Sequence, residues 1–181
     1  MTKRSVVNRW LALLALSVLL VGVQQVLAQS VRINEVNPSG HWLELKNTGD
    51  EPVDVSDLWL CNRPTYTRVS GLKIISGEMV IPAGGFLVVE WAGVRDNKAE
   101  LGLYSGNNFG NSQEMLDYLE YGGAGGGRES VASTAGLWDA GTFVTLPEDG
   151  ASIIFVEEGD TALAHWVQAA EPSAGEDNTA E

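Results

Sequence analysis

Between Gln29 and Glu181 no segment keeps apolar residues at a 3.6-residue spacing; short β-rich runs alternate instead with clusters of Gly, Pro, Asn and Asp. A helix that packs on a core needs an apolar stripe along one face, whereas a half-buried strand needs apolar and polar residues in strict alternation. Trp42–Lys46 shows the second pattern: Trp42, Glu44 and Lys46 point one way, Leu43 and Leu45 the other. Similar runs are Val31–Asn37, Val53 to Val55 continuing through Leu58–Cys61, Leu72–Ile75, Met79–Ile81, Phe86–Trp91, Leu101–Tyr104, Met115–Tyr121, Ala151–Val156 and Ala164–Val167. Turn signals separate them, among them Asn37-Pro38-Ser39-Gly40, Asn47-Thr48-Gly49-Asp50-Glu51-Pro52 and Pro82-Ala83-Gly84-Gly85. About ten short strands with frequent turns predict an all-β antiparallel sandwich or barrel. Five glycines within residues 122–127 open a long, Gly-rich connection at 122–142, read as a flexible hinge.

The first thirty residues are of another kind. Lys3, Arg4 and Arg9 precede an apolar run from Trp10 to Val23, 14 residues long. That is short for a bilayer crossing, which takes about 20 residues, but fits the apolar region of a secretory signal. Val26-Leu27-Ala28 supplies small or modest side chains before Gln29, so cleavage is expected between Ala28 and Gln29. Residues 1–28 therefore read as a signal peptide helix, residues 29–171 as one domain, and residues 172–181 as an acidic, poorly ordered tail. The expected location is periplasmic or extracellular, with no membrane span after cleavage.

Cleavage would leave eight Lys+Arg against 24 Asp+Glu, a net of −16. Nucleic-acid affinity is built largely from Lys and Arg on phosphates, so no nucleic-acid partner is expected. Basic partners or cations suit the charge better. The single cysteine, Cys61, follows Leu58-Trp59-Leu60 and is expected to be a buried thiol; one cysteine excludes a disulfide framework.

Three stretches taken together resemble the lamin tail domain family in its secreted bacterial form. They are Ile33-Asn34-Glu35-Val36-Asn37-Pro38, then the segment from Trp42 to Ser56 with its Trp-x-Glu-Leu-x-Asn-Thr-Gly core, then Ile81-Pro82-Ala83-Gly84-Gly85-Phe86. The ending Trp166–Asn178, with Pro172-x-x-Gly175-x-x-Asn178, is similar to that family's closing strand and tail. The resemblance spans about residues 30–178. It implies an immunoglobulin-like antiparallel β-sandwich and a non-catalytic module that docks or tethers a protein partner at the cell envelope. No heptads occur, so filament assembly through a coiled-coil rod is not expected.

For catalysis only His41 and His165 are available as bases, and no Gly-x-Ser-x-Gly elbow is present, so no catalytic residue is assigned. Too few His and Cys occur for a transition-metal site. The one cation that suits the oxygen-rich turns is calcium, weakly, at Glu157-Glu158-Gly159-Asp160, Asp139 or Asp96-Asn97; no Asp-x-Asp-x-Asp-Gly loop occurs, and no cofactor is expected. Trp138, Trp91 and Tyr121, which flank loops, are the candidate binding residues, with Trp138 the expected anchor. The alternative is a secreted carbohydrate-binding sandwich that uses surface Trp residues.

Overall fold

The computed structural model describes residues 30–179; the expected signal peptide and its Ala28/Gln29 cleavage point lie outside the described residues. In chain order the elements are β1 (Val31–Asn37), β2 (Trp42–Asn47), β3 (Val53–Asp54), β4 (Trp59–Asn62), β5 (Thr65–Arg68), β6 (Lys73–Gly77), β7 (Val80–Ile81), β8 (Phe86–Glu90), β9 (Ala99–Tyr104), β10 (Met115–Tyr121), α1 (Glu129–Ala135), β11 (Ser152–Phe155) and β12 (Trp166–Ala169). Every strand pairing is antiparallel. One sheet runs β12-β11-β1-β2-β8-β6, a second runs β10-β9-β4-β5, and β3 pairs with β7.

The two larger sheets close over one core, as the alternation requires. Ile33, Val36, Leu43, Leu45, Leu87, Val89 and Ile153 come from the first sheet; Leu60, Ala99, Leu101, Leu103, Leu119 and Tyr121 come from the second. Each such side chain contributes about 1.5–3 kcal/mol on burial, which makes this interface the main source of stability. The all-β sandwich expected from the sequence is therefore present. Cys61 is a buried free thiol, also as expected.

Two elements depart from expectation. β5 pairs with β4 across a turn holding the cis Arg63–Pro64 bond. Its sequence, Thr-Tyr-Thr-Arg, buries no side chain fully, so it lacks the alternation that marks a strand. The 122–142 connection contains α1, whose only buried residue is Ala132. Nor is the connection a hinge. Gly122 donates its N–H to Val144 O, Gly126 N–H goes to Glu120, and Arg128 N–H goes to Glu100. Gly122 must be glycine: its φ is +75°, and a β-carbon there would lie 2.0 Å from Asn97 O.

Asn47 shows how a turn residue joins distant segments. Its side-chain amide donates to Glu51 O at 2.8 Å and Ile81 O at 3.1 Å, while its oxygen accepts from Gly49 N–H at 2.9 Å. The Asn-Thr-Gly turn is thus tied to the Ile81-Pro82 segment from the far side of the sheet. Asn47 is fully buried, so Asn47→Ala strands these main-chain groups. Urea denaturation should show a loss of about 2–3 kcal/mol. A loss under about 0.5 kcal/mol would mean that water replaces the side chain without cost.

Candidate functional site

The three aromatic residues expected to make contacts are in the interior. Trp138 and Trp91 are each 3% exposed, and Tyr121 is fully buried. Trp138 packs edge-on against Tyr118 with ring centres 5.6 Å apart, and its indole N–H donates to Thr142 O. Tyr121 donates its hydroxyl to Arg95 O at 2.6 Å and accepts Arg95 N–H at 3.0 Å, which fixes the loop after β8. Adjacency to loops in the sequence does not say which side of a sheet a ring faces, and here all three face inward or lie beneath a covering segment. A glycan site built on surface Trp91 and Trp138 loses its platforms for the same reason.

What covers the sheets is informative. On the outer face of the first sheet, Ile154, Glu35, Glu44 and Val88 form a cross-strand row over β11, β1, β2 and β8. Two glutamates directly opposite each other should repel, and both are fully buried. The segment 173–178 lies across this row and supplies the compensation. Ser173 gives its N–H and hydroxyl to Glu35, at 3.0 and 2.8 Å, and Gly175 N–H goes to Glu44 at 2.5 Å. Asn34 donates to the other Glu44 oxygen at 2.7 Å, and Asn178 donates to Asn34 O and Phe155 O. The acidic stretch expected to be poorly ordered is therefore anchored at residues 173–178, because its main-chain donors answer two buried carboxylates. Burial pushes Glu44 up to about 7, with the Glu35 charge adding to the effect and the Gly175 and Asn34 donors opposing it.

The second sheet repeats the device. Glu100 and Glu120 are register partners on β9 and β10, both buried. Glu120 accepts Gly126 N–H at 2.6 Å and the Tyr118 hydroxyl at 3.0 Å; Glu100 accepts Arg128 N–H. Each outer face is thus crossed by a segment held through main-chain amides.

The histidines are engaged locally. His41 Nδ1 lies 2.9 Å from Val94 O, and His165 Nδ1 lies 3.2 Å from Val156 O, with its ring stacked on Phe155. Burial pushes the Cys61 thiol up to about 11, which keeps it from being a thiolate nucleophile near neutral pH. Among the described residues no three His, Cys, Asp or Glu side chains converge as metal ligands, and no helix is long and apolar enough to cross a membrane.

No protein-family model, curated protein or solved structure matches the chain.

Among the described residues, the exposed large apolar ones are Ile74 and Ile75 on β6, Val80 on β7, and Phe143 and Leu146 after α1. β6 ends the six-stranded sheet, and every one of its residues is exposed. Ile74 is 41% exposed, while Ile75 and Val80 are each 50% exposed. A bulge between Ile74 and Ser76 turns Ile75 out of register with β8. The other open surface lies at β5, the edge of the second sheet, where arginines meet partly exposed aromatic rings. Neither edge was singled out from sequence. Leu72–Ile75 reads as a strand without revealing that it lies at an edge, and Thr65–Arg68, though it holds β-prone Thr and Tyr, lacks the alternation that marks a strand.

Proposed function

We propose that this chain is a non-catalytic docking module of the exported, immunoglobulin-like lamin-tail type, engaging a protein partner at the cell envelope. The observation that carries this reading is the exposed Ile74 and Ile75 on β6, the end strand of the six-stranded sheet. Apolar side chains grouped next to unpaired strand backbone favour an extended partner segment, which adds its own main-chain bonds and covers the isoleucines. The family part of the reading is supported by where its marker residues fall. Asn34, Glu35, Glu44, Gly175 and Asn178 meet in one hydrogen-bond network, and Asn47 joins the Asn-Thr-Gly turn to the Ile81-Pro82 segment. Stretches that are far apart in sequence thus support one another in the fold.

The test is co-sedimentation with native cell envelopes of protein purified from cells expressing the complete sequence. Binding should vanish when the envelopes are first treated with protease, and Ile75→Glu should weaken it about tenfold. Binding that survives protease would overturn the protein-docking reading in favour of polysaccharide or lipid. Undiminished binding by Ile75→Glu would remove β6 as the surface.

A further inference from the structure

The basic residues of this acidic chain are not spread evenly. With Lys3, Arg4 and Arg9 set aside, eight Lys+Arg remain, and three of them come together beside the β4–β5 hairpin: Arg68 on β5, Arg63 in the hairpin turn, and Arg128, just before α1, which reaches Tyr66. The strand register sets up this grouping. Tyr66 stands opposite Cys61, and Arg68 stands opposite Trp59, which is itself opposite Tyr104. Phe109, from the loop between β9 and β10, settles over these residues. It stacks on Tyr66 at 4.4 Å and meets Trp59 and Tyr104 edge-on at 5.9 and 5.2 Å.

Two of the arginines lie over these rings. The Arg68 guanidinium sits 5.3 Å from the Trp59 ring centre, and Arg128 sits 6.0 Å from that of Tyr66 while donating to the Tyr66 hydroxyl at 3.3 Å. Arg128 Nε is buried and has no hydrogen-bond partner. Arg63 runs past Gly127 so closely that a β-carbon there would come 2.6 Å from Arg63 Cδ. Two acidic groups face the stripe. Asp57 pairs with Arg68 at 3.0 Å on an exposed rim, and Glu100 is buried and bonded to the Arg128 and Tyr118 groups. The Asp57 pair is solvent-exposed and therefore weak, leaving most N–H donors of Arg68 open to another carboxylate.

We propose that this stripe binds an extended acidic peptide segment of a partner protein, which pairs with the free edge of β5 and places its carboxylates on Arg63, Arg68 and Arg128. Guanidiniums placed beside aromatic rings by neighbouring contacts are partly preorganised as forks for carboxylates. β5 ends its sheet, so its outward main-chain groups are open to a peptide strand and offer nothing comparable to a sugar polymer. The ring faces also favour a peptide: Tyr66 is stacked on Phe109, and Arg68 lies over Trp59, so neither presents a bare platform to a sugar. Tyr66 and Arg68 lie two residues apart on one strand face, about 7 Å, the repeat at which alternate side chains of an added strand would meet them. The site is separate from the β6 edge and does not depend on it.

The experiment is fluorescence anisotropy on the purified chain with a labelled peptide of about ten residues alternating Glu and Val. Matched peptides carry Lys in place of Glu, or N-methyl groups on alternate amides. The Glu peptide should bind and weaken with added salt, and the Lys peptide should not bind. Alternate N-methylation should cost about tenfold or more. Arg63→Glu with Arg68→Glu, both exposed positions, should raise Kd at least about tenfold with an unchanged circular dichroism spectrum, while Ile75→Glu should leave Kd unchanged. The proposal is overturned by equal binding of the Lys peptide or by full affinity in the arginine double variant. It is also overturned if the N-methylated peptide binds equally well, or if an oligogalacturonate binds more tightly than the peptide.

Discussion

Ending the chain at Glu171 should lower its unfolding free energy by about 3 kcal/mol, read from urea denaturation followed by tryptophan fluorescence. The loss has three parts. Glu35 forfeits two donors from Ser173, and Glu44 forfeits the Gly175 N–H. The carbonyls of Asn34 and Phe155 lose the Asn178 amide. Ile154 and Val88, buried yet outside the main core, become exposed on the outer face of the sheet. Water rehydrates the bared carboxylates, so the cost stays below that of two charges left buried and unpaired. Apolar exposure at about 25 cal/mol per Å² supplies much of the remainder. The Lys46–Asp177 ion pair adds little, since Asp177 is 81% exposed; Asp177→Asn should have the same urea midpoint as wild type. A truncated protein as stable as the full chain would mean that residues 173–178 rest on the sheet without supporting it.

This dependence could be read from sequence only in part. The alternation of Trp42–Lys46 places Glu44 on the face away from Leu43 and Leu45, and the structure agrees. Nothing local shows that Glu35 will stand opposite Glu44, because cross-strand register is a property of two strands at once. The same holds for Glu100 and Glu120. A sequence rule that sends charged residues to solvent therefore leaves four buried glutamates unseen. Tail composition misled in the same way: Glu176 and Asp177 read as solvated, while the anchoring groups are main-chain amides and Asn178, whose role emerges only once the sheet exists.

Aromatic residues were misplaced for a different reason. Trp138 follows Gly136 and precedes Asp139, a context that reads as an exposed loop. Its true setting is created by α1, which turns the chain back so that the indole covers Tyr118. α1 itself escaped notice because Glu-Ser-Val-Ala-Ser-Thr-Ala carries no apolar stripe and follows a run of glycines. The rings around the arginine stripe come from separate places: Trp59 from β4, Tyr66 from β5, which lacks alternation, and Phe109 from the loop between β9 and β10. Strand runs and core leucines were legible because they depend on period alone. The binding surfaces were not, because they depend on which strands end as edges.

The melting temperature should fall as pH rises from about 5 to about 8, the reverse of what paired surface carboxylates produce. Glu44 is pushed up to about 7 chiefly by burial, and Asp117 up to about 6, also by burial, against the N–H groups of Ile33 and Tyr118. Glu120 moves in the same direction. For these groups the folded state holds protons that the unfolded chain has released between about pH 4 and pH 7. Stability is thus full below the unfolded pKa and declines as pH rises through the folded one. Glu44 alone accounts for about 3 kcal/mol, or about 10 °C in a domain of this size. Self-repulsion of a chain this acidic acts in the same sense. Below about pH 4 this slope ends, and the exposed Arg32–Glu157 and Lys46–Asp177 pairs, which hold Glu157 and Asp177 low, add only a small loss as they protonate. Stability should therefore be highest at or below about pH 5 and fall toward neutrality. Thermal scans at constant ionic strength give the curve, and Glu44→Gln should flatten its neutral limb by about half, since position 44 would no longer release a proton. A melting temperature that rises from pH 5 to pH 8, or a Glu44→Gln curve parallel to wild type, would show that Glu44 is ionised throughout and that its hydrogen-bond donors outweigh the loss of water.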